Sequence, residues 1–431
     1  MNPRHHHPHF PHLSHFPPFL LPAAILLSAF SLQAFSLSSF AAKSVDAPVP
    51  PVDTRAQIEA GLASHDHALH LTTNWIRDPF ITRGPDGYYY LTGTTPDEND
   101  PREQTDPYNT GLGGNSVVGS QIRIWRSRDL IDWEYRGIAF KLSDTIRTDA
   151  PAESKAIEKA KKKNKPIPDT GAPAKNVLWA PEIHWLGDRW ALIHCPKSFA
   201  NYALAPIGEK DPLKGPWTQP LGNKLGEKHD PSLFLDTDGA SWMIWTSKMG
   251  VFNIAPLNKT LTDFAAPSVE ITPSGSRTSK ATGETTSRIG HEGSTIIKVP
   301  GSNKYIFIGT AWSTDKSRHG SYNLYYATAD KITGPYGPRR FLGRFLGHGT
   351  PFQAPDGRWW CTAFRNANTL PVSREGIETR DLSTAAHSIN PPGLTIVPLT
   401  VKVLPGGDVD IRAADPAYAT PGPDEAQKFP N

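Results

Sequence analysis

Three acidic residues stand in comparable surroundings far apart in the chain: Asp78 in Trp75-Ile-Arg-Asp-Pro, Asp230 in His229-Asp-Pro-Ser, and Glu292 in His291-Glu-Gly-Ser. Each opens a short apolar run. Any one of them alone reads as turn chemistry, because Asp before Pro is a common turn former. Together they read differently. Three carboxylates brought to one cavity repel one another, which is costly unless a site uses them. Hydrolysis of a glycosidic bond uses such a set. One protonated acid gives its proton to the leaving oxygen and one ionised carboxylate activates water. A third nearby can hold the acid's pKa up and orient it.

Bringing the three together requires a repeated unit, and the chain contains one. A short strand, a Gly- or Asp-bearing turn and an aromatic strand occur as DPFITRGPDGYYYLTG from Asp78 and WAPEIHWLGDRWALIH from Trp179. They recur as DPSLFLDTDGASWMIW from Asp230, EGSTIIKVPGSNKYIFIGT from Glu292 and HGTPFQAPDGRWWCTAF from His348. This is a β-hairpin signature. A second half follows most hairpins, as in IRIWRSRDLIDWEYRG from Ile122 and YNLYYATADKITGPYGP from Tyr322. Five such units predict an all-β, five-bladed β-propeller with four-stranded antiparallel blades around a central channel. A sandwich or jelly roll would not produce the recurring aromatic hairpin. The inserted loops at 96–120, 141–176, 271–291 and 313–321 then fall on one face, where loops carry specificity. The Lys-rich run from Lys155 to Lys165 reads as a solvated lobe of that set.

The motifs Arg77-Asp-Pro-Phe, WAPEIH, DPSLF, Glu292-Gly-Ser and GHG-FQ-PDG-WW, in this order over roughly 74–370, resemble glycoside hydrolase family 43. That family comprises five-bladed-propeller arabinofuranosidases, xylosidases and arabinanases. The resemblance implies that Asp78 is the general base, Glu292 the general acid, and Asp230 the residue that raises the pKa of Glu292 and orients it. It also implies an inverting single displacement, with water between Asp78 and the sugar. Ser294 stands where the family often has Pro, which bears on local loop shape. Alternatives on the same scaffold are a non-catalytic carbohydrate-binding propeller and a retaining fructan- or sucrose-type hydrolase. The four inserted loops suggest a pocket, favouring a terminal sugar such as α-L-arabinofuranose or β-D-xylose.

Further candidates surround the acids. Trp75, Trp179 and Trp312 could stack on a sugar ring, while Arg77 and Arg288 could reach its hydroxyls or form salt links. Trp242, Trp245, Trp359 and Trp360 read as packing between blades. Glu182, in WAPEIH, reads as a hydrogen-bonded structural carboxylate, and His229 and His291 as caps of strand ends. His348 opens the fifth unit. The resemblance makes it a contact for a hydrated calcium or other ion in the channel. The residue type alone serves equally as a neutral histidine bonded to channel water, and calcium prefers oxygen donors. The hydrolysis itself requires no cofactor.

The whole chain fits this reading. Among its 431 residues, 45 Lys+Arg against 42 Asp+Glu give a net charge of +3, which excludes an electrostatic nucleic-acid binder. A hydrophobic fraction of 38% excludes global disorder, and the 12 Trp, 12 Tyr and 18 Phe suit both strands and sugar rings. The two cysteines, Cys195 and Cys361, fall in non-adjacent blades and are expected as buried, unpaired thiols. Residues 1–42 read as a secretory signal peptide, giving a secreted or periplasmic protein with no membrane contact after its removal. Residues 43–70 read as a linker, 71–412 as the catalytic propeller and 413–431 as a loose Pro-rich tail. The expected partner is a carbohydrate; oligomeric state has no signature here.

Overall fold

The apolar runs and turns of the repeats form antiparallel sheets in chain order. The computed structural model describes residues 51–102, 108–109, 111–112, 116–144, 162–163, 177–196, 201–225, 228–248, 250–275, 277–278, 285–286 and 288–426. The first blade is Arg77–Arg83, Tyr89–Thr94, Gln121–Ser127 and Glu134–Lys141. The second is Leu178–Trp185, Trp190–Pro196 and Asn201–Leu204. The third is His229–Leu235, Ser241–Lys248, Val251–Pro256 and Val269–Ile271. The fourth is Glu292–Lys298, Tyr305–Trp312, Tyr322–Ala329 and Arg340–Gly343. In the fifth, Pro351–Gln353 and Trp359–Ala363 pair with Leu394–Val403. Two strands from opposite ends of the fold, Leu69–Thr72 and Val409–Ala413, then share the outer edge of Leu394–Val403. The protein is a five-bladed β-propeller.

One blade departs from four strands. In the second, the outermost strand shrinks to a single bridge between Leu204 and Thr218. Pro216 and Pro220 flank Thr218, and a proline cannot donate to a ladder.

Aromatic residues of the second strands hold the blades together. Trp190 and Trp360 are fully buried. Tyr90 of the first blade meets Trp190 of the second edge-on at 5.2 Å, and Phe252 of the third meets Phe307 of the fourth at 5.1 Å. Trp245 lies in the core shared by blades two and three. Each such ring contributes about 2–3 kcal/mol by leaving water. Cys195 and Cys361 are buried and not paired.

Both ends of the described fold are more ordered than the sequence suggested. Within the expected linker, Arg55–Ser64 is an α-helix with a reciprocal cap between Thr54 and Gln57. At the other end the expected loose tail carries a short helix, Pro416–Ala419, whose Ala417 N–H donates to Asp415 at 3.0 Å. Farther on, Asp424 pairs with Arg344 where both side chains are fully buried. Composition suggested looseness; burial of two acids against partners in other blades overrides it. The expected signal peptide lies outside the described residues, as does the Lys155–Lys165 run apart from 162–163. No helix among the described residues is long and apolar enough to cross a membrane.

Candidate active site

Four of the five blades enter the channel through the same local device. Arg77 pairs with Thr94 and Phe80 with Thr92, so Asp78 and Pro79 together face one residue, Gly93. The same two-against-one bulge sets Ala180 and Pro181 against His194, and Asp230 and Pro231 against Trp245. It also sets Gly293 and Ser294 against Gly309. In each bulge the first residue is left-handed, with φ of 49° at Asp78, 44° at Ala180, 42° at Asp230 and 63° at Gly293. His348 opens the fifth blade with φ 59°. A bulge of this kind breaks the pleat and re-aims the side chain. Its cost, of order 1–3 kcal/mol for a non-glycine residue, is the kind of strain that clusters at active sites.

The register refines the sequence reading. Asp78 and Asp230 are rotational equivalents. Glu292 is not: its equivalents are Arg77, Trp179 and His229, one residue before the bulge.

All three acids nevertheless meet, joined by two histidines in an alternating chain. Asp78 accepts from Thr94 Oγ1 at 2.8 Å through Oδ2, while its Oδ1 lies 3.0 Å from His348 Nδ1. The same nitrogen is 3.9 Å from Asp230 Oδ2. That oxygen lies 3.3 Å from His229 Nε2, which in turn lies 3.2 Å from Glu292 Oε2. Glu292 Oε1 accepts from the Tyr322 hydroxyl and sits 3.6 Å from His291 Nε2. Backbone groups fix the frame. Gly293 N–H donates to Asp230 at 3.3 Å, and Thr94 Oγ1 accepts from Ala180 N–H at 2.7 Å, linking the first two blades.

Charge follows from this geometry. Burial would raise Asp78, but His348, Arg77 and Thr94 outweigh it and hold the carboxyl below its usual range. It is ionised, as a base must be. Burial would lower His348, but Asp78 and Asp230 outweigh it and lift the ring to about 10. Burial pushes Asp230 up. The charge of Asp230 lifts His229 to about 12. Glu292 departs from expectation: burial would raise it, yet His229 and His291 outweigh burial and hold it well below the ordinary range. In the free site Asp78 and Glu292 are therefore ionised and the His348 and His229 rings carry protons, with the Asp230 carboxyl, pushed up by burial, between the two rings.

The remaining candidates sort by exposure and partners. Trp179 is half-buried at the entry ring. Trp75 and Trp312 are only 6% and 5% exposed, and Trp312 packs on Tyr322 at 4.6 Å, so neither offers an open stacking face. Arg77 is buried. Its guanidinium donates to Gly111 O at 2.9 Å, Ser116 Oγ at 2.5 Å and Asn366 Oδ1, tying a first-blade loop to the fifth blade rather than reaching for a sugar. Arg288 is exposed, its stem lying over Gly250. Glu182 bonds His184 at 2.7 Å, two residues along its own strand. His229 and His291, expected as strand caps, address Glu292 instead. Tyr322 and Thr94 were missed. Each begins or ends a strand beside the channel, but an ordinary Tyr or Thr in an aromatic strand carries no distinguishing pattern.

The hydrated ion expected at His348 would find few protein donors. Its Nδ1 is committed to two carboxylates. Calcium takes six to eight oxygen donors. The carboxylates at His348, Asp78 and Asp230, are too few for calcium's oxygen shell. No step below runs through an ion.

The chain is similar to known proteins. A family model for glycosyl hydrolases family 43 matches residues 71–385. An extracellular endo-α-(1→5)-L-arabinanase of Thermotoga petrophila is 25% identical over 247 residues, covering 51% of this chain and 47% of that protein. The match thus spans about half the length of that curated relative. A GH43_1 enzyme from Xanthomonas citri, solved with xylose, superimposes with a TM-score of 0.50 at 15% identity, over 86% of this chain and 100% of the other. A β-xylosidase/α-arabinofuranosidase from a compost microbial metagenome, solved with xylotriose, gives 0.50 at 15%, over 79% and 95%. At these identities the structural likeness is one of fold.

Proposed function

The chain belongs to glycosyl hydrolase family 43 and is a glycosidase; from that membership we propose an exported enzyme that removes α-L-arabinofuranosyl or β-D-xylosyl units by inverting hydrolysis. The observation that carries the site assignment is the unbroken Asp78–His348–Asp230–His229–Glu292 chain at the channel. Asp78, held ionised by His348, takes a proton from the attacking water. Glu292 delivers a proton to the leaving oxygen. His229 supplies it across the 3.2 Å contact to Glu292 Oε2, with Asp230 Oδ2 3.3 Å from the same nitrogen, so the two acids and the histidine titrate as one unit. Half-buried Trp179 is the sugar platform this reading retains, and exposed Arg288 the polar contact. Export is supported by the N-terminal apolar segment and by the extracellular arabinanase to which the chain is similar.

The test is a panel of aryl furanosides and pyranosides with proton NMR of the first anomer released. Wild type should turn over an arabinofuranoside or xyloside with inversion. Glu292→Gln and Asp78→Asn should each lose about 100- to 10,000-fold in kcat. Retention in the first product would point to a covalent intermediate instead. A wild type inert on the whole panel would favour a carbohydrate-binding propeller.

A further inference from the structure

Beneath the acid–histidine chain lies a sulfur that hydrolysis does not use. Cys195 Sγ, a His229 ring nitrogen and an Asp230 carboxylate oxygen lie within 4.8 Å of one another. We propose that these three, with Glu292 as a fourth donor, bind a borderline-soft divalent cation of the zinc type, and that its occupancy stops hydrolysis.

The geometry suits a tetrahedral ion. Zinc bound at about 2.0–2.3 Å sets its donors roughly 3.3–3.8 Å apart. His229 Nε2 is 3.3 Å from Asp230 Oδ2 and 3.2 Å from Glu292 Oε2, so each oxygen stands near that spacing from the nitrogen, and Glu292, outside the three-residue cluster, completes the set by turning its carboxylate toward it. The sulfur is held in place: it accepts from Asp230 N–H at 3.1 Å and donates to Lys228 O at 3.0 Å. One sulfur, one nitrogen and two oxygens select zinc or its neighbours over calcium or magnesium. An entry path exists, because His229 and Glu292 keep 36% and 24% of their side-chain surface exposed while Cys195 forms the floor. On binding, the thiol proton and the proton on the ligating His229 nitrogen leave to solvent, and thiolate–metal and imidazole–metal bonds take their place; no electron changes hands. Cys361 is an internal contrast. It is equally buried, its thiol donates to Thr362 O at 3.4 Å, and it joins no such cluster among the described residues.

Inhibition rests on the catalytic reading above, since the ion would occupy Asp230 and Glu292; binding does not. Binding is therefore read without substrate. The full chain, reduced and stripped with chelator, is titrated with Co²⁺. One equivalent should give tetrahedral ligand-field bands and a thiolate-to-cobalt charge-transfer band, both bleached by Zn²⁺. Cys195→Ser should abolish the charge-transfer band and weaken Zn²⁺ binding, by calorimetry, at least tenfold, while Cys361→Ser keeps both. If Cys195→Ser misfolds by circular dichroism, His229→Gln carries the same test, with loss of the stoichiometric site expected. Cobalt bound without a charge-transfer band, or Zn²⁺ affinity unchanged in Cys195→Ser or His229→Gln, overturns the site. Zn²⁺ should also slow aryl-glycoside hydrolysis, reversibly with chelator; a filled site with an unchanged rate overturns the inhibitory role. An enzyme inert without metal fails the catalytic reading alone, because the cobalt spectrum needs no substrate.

Discussion

Glu292 has three side-chain partners: His229 and Tyr322, each opening another strand, and His291 beside it in the chain. The Tyr322 hydroxyl donates to its Oε1. A hydrogen bond to a charged group contributes about 1.5–3 kcal/mol. Tyr322→Phe is therefore expected to lower kcat about tenfold or more on an aryl glycoside, with KM little moved. Steady-state kinetics read both, and an unchanged kcat would leave the bond without a catalytic part. At this scale the sequence was legible where chemistry and position coincide. An acid opening a strand is conspicuous, so Asp78, Asp230 and Glu292 could be picked out together. The direction of an imidazole is not written in the sequence. His229 and His291 read as caps, yet both rings address Glu292. Exposure is equally silent: Trp75 and Trp312 had the right type and place for a sugar platform but are buried.

The bulge is the element that makes the site. It explains why the hairpin pattern of the sequence aligns Glu292 with two aspartates although the ladder offsets it by one residue. Hydrophobic alternation shows where a strand runs; a single extra residue in its first turn leaves that pattern almost intact. The shortened second blade was hidden for a similar reason, since the loss follows from prolines in a segment that otherwise reads as a strand. Among the left-handed bulge positions, Ala180 carries a methyl group with no polar function in the chain of acids. Glycine tolerates that backbone freely. Ala180→Gly is expected to leave stability unchanged or raise it by up to about 1 kcal/mol in urea unfolding, where Ala→Gly in an ordinary strand would lower it. Gly293→Ala should do the opposite. Its new methyl would stand 2.8 Å from the His348 ring, in a backbone with φ 63°. A measurable loss of both stability and kcat is expected, and full activity in that variant would contradict the bulge's role.

At the scale of the whole molecule, the propeller and its five units were legible because the repeat recurs five times. The ends were not, because composition says nothing about which remote partner a polar segment finds. Asp424 finds Arg344, and Glu425 finds Tyr325 at 2.6 Å and Asn323 at 3.2 Å. Breaking a buried pair by removing one partner costs about 3–5 kcal/mol, so Asp424→Ala should lower the unfolding midpoint markedly, a shift calorimetry would detect. Glu425 adds a pH dependence. Burial, with Asp315 adding to it and Arg339, Tyr325 and Asn323 opposing, lifts its carboxyl from 4.5 to about 7. The folded chain therefore holds a proton that the unfolded chain releases. Stability from this group falls as pH rises from about 4.5 to 7 and is flat above that range. Glu425→Gln should remove that slope, worth up to roughly 3 kcal/mol; an unchanged slope in the variant would show that another group sets it.

The fifth blade borrows its outer edge from residues 69–72 and 409–413, so the ring is sealed by segments more than three hundred residues apart. Amides of 69–72, at a sheet margin held by few ladder bonds, should exchange with deuterium before those of the inner strands. A protease that nicked the chain just after this seam would spare every carboxylate, yet let the blades drift and uncouple the acid from the base. Clipping there would act as a latent off-switch, remote in sequence from all the chemistry it silences.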